Sequence, residues 1–131
     1  MISKILRVSV FILSIQVLFG CFRQTVVHES YTTRGLMIEN AGEEENVSHW
    51  VIVHEKISNF KNAQGEISEM EPMPMSFVIF KKVSSEPFAA GDKVAMTFEV
   101  RWDQAPHLFI TQIEKIDPST ALDLGGFYLE K

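Results

Sequence analysis

An all-β domain, closed into a small barrel of five strands, is the fold expected of this chain. Three observations lead there. Five segments are dense in β-forming residues or alternate apolar and polar side chains, and none repeats its apolar residues at a helical period. Turn signals separate them: "NAGEEEN", "AAGD" and "DQAPH". Five strands packed into roughly 85 residues would expose two edges if left open, and closure removes them.

The elements follow in order. Tyr31 to Glu39, "YTTRGLMIE", is the first strand, with Gly35 where a barrel strand must bend. Asn40 to Asn46 carries Gly42 and three acids and reads as a turn. Ser48 to Glu55, "SHWVIVHE", is the second strand, with Trp50, Ile52 and His54 on one face and Val51 and Val53 on the other. Lys56 to Glu69 is polar, contains "NAQG", and reads as a loop. Met73 to Phe80 is the third strand, placing Met73, Met75, Phe77 and Ile79 on one face. Pro72 and Pro74 restrict that segment to an edge or to the start of a strand. Lys93 to Trp102 and Leu108 to Ile116 complete the set. The expectation is an OB-like barrel over residues 31–117, preceded by a tether over 21–30 and followed by a tail over 118–131. The tail is too apolar for a free linker, and either packs on the barrel or docks on a partner.

The first twenty residues stand outside this fold. Lys4 and Arg7 precede an apolar run from Val8 to Phe19, broken by Ser9, Ser14 and Gln16. That run is short of the ~20 residues a spanning helix needs, and has the layout of a secretory signal. It ends in "LFGC", Leu18 to Cys21, which resembles the bacterial lipobox. The resemblance implies that Cys21 becomes the lipidated first residue of the mature chain. The protein would then sit in the bacterial cell envelope, tethered to a membrane and facing the periplasm. Several acyl chains hold such an anchor stably where one is marginal. Phe22 stands where an Asp would imply inner-membrane retention, so the resemblance points to the outer membrane.

Charge narrows the partners. The chain carries 12 Lys and Arg against 17 Asp and Glu. Without residues 1–20, which hold Lys4, Arg7 and no acid, 10 cations oppose 17 acids and the net charge is -7. Such a domain repels phosphate backbones, which argues against nucleic acid as a partner. Cys21 is the sole cysteine, so no disulfide framework forms.

Half of the six methionines, Met70, Met73 and Met75, lie within "EMEPMPMSF". If the second and third strands pair antiparallel, the end of one meets the start of the next. His54 then faces Met73 and Met75 at one rim of the barrel, with Met70 in reach from the loop. Two readings are open: core filler, or soft-metal ligands. Thioethers are poor ligands for hard ions and select Cu(I) and, by similar softness, Ag(I). They neither ionise nor form disulfides in an oxidising compartment. Zinc favours Cys, His or carboxylate.

These residues resemble the CusF-like family of periplasmic copper-binding proteins. The family pattern is a strand ending His-Glu, a loop, Met-x-Met, and a Phe two residues on. Here these are His54-Glu55, Met73-Pro74-Met75 and Phe77. "GDKV" at Gly91 to Val94 and the closing "LFITQIEKI" resemble it too, so the match spans roughly Tyr31 to Ile116. The resemblance implies a five-stranded OB-like barrel that binds Cu(I) or Ag(I) through His54, Met73 and Met75. It also implies delivery to an efflux or cuproprotein assembly system. Family members carry a Trp shortly before the first Met; Met70 stands there in this chain and is a candidate further ligand. No nucleophile triad, phosphate loop or zinc signature marks an enzyme. The alternative is an OB-like envelope lipoprotein that grips a peptide or glycan without metal.

Overall fold

The computed structural model describes residues 28–126. The signal segment 1–20, Cys21, most of the tether 21–30 and the last residues of the tail lie outside them. Seven strands follow in order: β1 (His28–Glu43), β2 (Val47–His54), β3 (Ile57–Lys61), β4 (Ile67–Met70), β5 (Pro74–Phe80), β6 (Lys93–Arg101) and β7 (Leu108–Lys115). Five of them close a barrel in the order β1-β2-β5-β7-β6, and β3 and β4 form a separate hairpin. The fold is the expected all-β, five-stranded, OB-like barrel.

Closure depends on β1, which at 16 residues is long enough to serve two neighbours. Its first half pairs with β6, from His28↔Arg101 to Leu36↔Lys93. Its second half pairs with β2, from Gly35↔His54 to Glu43↔Ser48. Gly35 belongs to both ladders, where the strand passes from one neighbour to the other. A Cβ at Gly35 would lie 2.8 Å from both the Ile52 Cγ2 and the Val53 carbonyl oxygen, so only glycine fits. Two bulges, at Met37/Glu39 and Asn40/Gly42, curve the strand further.

The core is the inward face of each strand. Along β6 burial alternates strictly, with Val94, Met96, Phe98 and Val100 inside. β2 contributes Trp50 and Ile52, β5 contributes Phe77 and Ile79, and β7 contributes Ile110. Phe77 and Phe98 meet edge-on at 5.0 Å between centroids. Each such side chain stabilises the fold by ~1.5–3 kcal/mol through burial.

Three expectations are corrected. Lys56 to Glu69 is not a loop but the β3–β4 hairpin. Its turn uses Gly65 at φ +84°, and Asn62 Oδ1 accepts hydrogen bonds from the amides of Gln64 and Glu66. Ile57 and Phe60 are buried and join the core, so the hairpin plugs the barrel. Tyr31 Oη accepts the Lys61 amide at 2.8 Å and fastens it to β1. Second, β1 already runs at His28, inside the segment expected as tether. Third, β1 continues to Glu43, into the segment expected as turn, because its bulges absorb the extra residues.

The described part of the tail lies back along the barrel. Lys93 Nζ donates to the Thr120 carbonyl at 2.6 Å, the Asp123 amide donates to Glu55 Oε2 at 2.8 Å, and Leu124 is buried. Glu55 also takes both arms of the Arg34 guanidinium, at 2.8 and 2.9 Å.

Candidate metal centre

The registers gather the candidate residues at one end of the barrel. β5 starts there, parallel to the start of β7, and beside the ends of β2 and β6. The β2–β5 ladder runs Trp50↔Phe77, Ile52↔Met75 and Val53↔Pro74. The ladder ends there, and Met73, expected as the first inward residue of the third strand, lies just before β5. Trp50, Ile52 and His54 share the inward face, each at or below 5 % exposure.

His54 is fully buried, and its Nδ1 donates to the Glu55 carbonyl at 2.7 Å. That bond fixes the tautomer with the proton on Nδ1, leaving Nε2 a bare lone pair. Nε2 has no hydrogen-bond partner; among the described residues the only other such buried side-chain atom is Arg101 Nε. Burial pushes the imidazolium down from its ordinary range, against a smaller upward pull from the Glu55 carbonyl. His54 is therefore held neutral, the form that can ligate.

The methionines divide. Met70 and Met75 are half-buried, pack against the core, and line one cleft of about 410 Å³ with Phe60, Trp102, His107 and Leu108. Met73 is 41 % exposed and lies outside that lining, as does His54. The structure thus brings Met70 and Met75 together and sets His54 and Met73 at the same barrel end without placing them in the cleft. Met70 reaches it because it ends β4, where it pairs with Ile57. Met37 and Met96 are core.

Two cleft residues had no role from sequence. Trp102 follows the last residue of β6 and meets Phe60 edge-on at 6.2 Å. His107 closes the β6–β7 turn twice over: its carbonyl accepts the Arg101 amide at 2.8 Å, and its Nδ1 donates to the Arg101 carbonyl at 2.8 Å. The available signal was an aromatic residue and a His flanking the "DQAP" turn; nothing local ties that turn to Met70 or Met75.

Among the described residues, no three His, Cys, Asp or Glu side chains gather to hold a metal ion. A centre here must draw on thioether sulfur, and the donors at this end are soft or borderline. They fit a soft monovalent ion and not a hard one. A second cleft of about 350 Å³ at the opposite end includes Asn40, Glu43, Ser48, Trp50 and Lys81. Its Glu43 carboxyl is pulled down to about 2, first by the Asn40 amide at 2.8 Å and also by Lys81 at 3.1 Å, so its charge is already partnered. No family model, no curated protein and no solved structure matches this chain.

Proposed function

We propose that this protein is an envelope lipoprotein that binds Cu(I), and by the same softness Ag(I), as cargo at the β5-start end of the barrel. Met70 and Met75 supply thioether sulfur from the cleft, and Met73 and His54, at the same barrel end but outside the cleft lining, are the further candidate donors. The observation that carries the reading is the convergence of Met70 and Met75 on one cleft, at the barrel end where His54 keeps an unpartnered Nε2. Anchored through Cys21, the domain would take up the ion outside the cytoplasm and pass it to an efflux or cuproprotein assembly system. Thioethers hold no proton, so sulfur keeps its ligand character across the pH range of such a compartment.

The test is competition of the mature domain against a Cu(I) chelator, with Zn(II) as the contrasting ion. About one Cu(I) should bind, and Zn(II) far more weakly. Met70→Ile with Met75→Ile conserves apolar bulk, costs under ~1.5 kcal/mol of stability per site, and should abolish most affinity. Met96→Ile, in the core, should leave affinity unchanged. A folded double variant that binds copper as well as wild type would reduce the cluster to packing. The cleft would then read as an apolar groove for a peptide.

A further inference from the structure

We propose that His107 is a ligand of this soft-metal site, completing a set of Met70, Met75 and His107 walled by Trp102; the inference rests on the Cu(I) reading above. Three observations carry it. All four residues line one cleft although they come from β4, β5 and the β6–β7 turn. His107 is exposed, so an arriving ion can reach it, whereas His54 is sealed from solvent and lines no part of the cleft. The His107 ring is also held in place: its Nδ1–H is committed to the Arg101 carbonyl at 2.8 Å, and the Arg101 amide pins its backbone. Donation of one ring N–H to a carbonyl fixes the ring and leaves the other nitrogen basic, the outer-shell arrangement that metal-binding histidines use.

The chemistry is consistent with the surroundings. Phe60, Leu108 and Trp102 give the cleft apolar walls, which lower the local dielectric and favour soft, weakly hydrated ions over Zn(II) or Mg(II). Trp102 is 39 % exposed and stands in the cleft, while Trp50 is buried within the barrel. An ion held by Met70, Met75 and His107 therefore sits against one indole and away from the other. That asymmetry supplies a readout.

The experiment titrates Ag(I), then Cu(I) under reductant, into the mature domain while following tryptophan emission and chelator competition. The variants are His107→Asn, His54→Asn and Trp102→Phe. Asn at 107 can still donate to the Arg101 carbonyl but has no azole nitrogen, so it separates ligation from turn structure. The expected result is a loss of affinity of roughly tenfold or more in His107→Asn, with circular dichroism unchanged. Metal-dependent quenching should be present in wild type and absent in Trp102→Phe. Wild-type binding that His107→Asn leaves unaltered overturns the assignment of His107 and leaves the Cu(I) reading standing. Quenching that survives in Trp102→Phe likewise overturns the placement of the ion in this cleft. A wild-type protein that binds neither ion removes the Cu(I) reading, and the assignment of His107 with it.

Discussion

Gly35→Ala tests the reason the barrel closes. The added Cβ would stand 2.8 Å from the Ile52 Cγ2 and 2.8 Å from the Val53 carbonyl oxygen. Ordinary contact begins near 3.4 Å, so both neighbours must give by more than half an ångström. Neither can do so freely. Ile52 is fully buried among core side chains, and the Val53 carbonyl is backbone within the β1–β2 ladder. Overpacking of this kind costs about 1–3 kcal/mol. Restricting the unfolded chain returns about 0.4–1 kcal/mol of that. The net loss of about 1–2 kcal/mol corresponds to a fall in Tm of roughly 5–15 °C for a domain of this size. Gly42→Ala is the control, because its Cβ would meet nothing nearer than the His49 Cδ2 at 3.7 Å. That variant should melt within a few degrees of wild type, with the entropy gain free to show. The assay is thermal and urea unfolding followed by circular dichroism. Gly35→Ala melting at or above wild type would refute the close-approach argument.

Two further outcomes are expected. Burial holds the folded His54 neutral below its ordinary value of 6.5, so the unfolded chain binds the proton more readily. This contribution to stability is fully present above about pH 6.5 and falls away as pH drops through the unfolded value toward the lower folded one. Urea midpoints measured from pH 8 to 5 should decline for wild type, and the His54→Asn difference curve should show the missing titration; a superimposable pair of curves would sink the idea. Cys21→Ser should release the protein from membranes and remove lipid mass from the N-terminus, and wild-type protein that is soluble and unlipidated would contradict the anchor.

Much of the barrel was legible in the sequence because alternation reports burial directly. Trp50, Ile52 and His54 on β2, and Phe77 and Ile79 on β5, face inward as their spacing requires. The β3–β4 hairpin was not legible. Its apolar residues, Ile57, Phe60, Ile67 and Met70, follow no period of two, because an irregularity between Ile57 and Phe60 breaks the register. Apart from Ile67, the exposed residues of its two strands are polar, as in a loop. Of the site, the antiparallel pairing of β2 with β5 was legible and sets His54 and Met75 at one barrel end, while Met73 lies before β5 and is exposed because Pro74 opens the strand. The convergence of Met70 with Trp102 and His107 depends instead on a parallel seam between β5 and β7 and on a hairpin folded over the barrel end. Both are pairings between segments distant in sequence, which local pattern cannot supply.

The barrel's five seams are unequal. β1 and β6 share nine paired positions and β2 and β5 share seven, but the parallel β5–β7 seam has two, Val78↔Phe109 and Ile79↔Ile110. Thermal breathing of the ring should begin there, and amide exchange should be fastest along β5 and β7. Parting that seam would create two free strand borders in a protein that otherwise has none in its barrel, and such borders invite pairing with another chain. The border offered by β5 opens with Pro74, which has no N–H to donate, and Pro72 stands two residues before it. The prolines that flank Met73 thus hinder strand addition only at the start of that border, and the stretch around Val78 and Ile79 is where a second chain would pair if the seam opened.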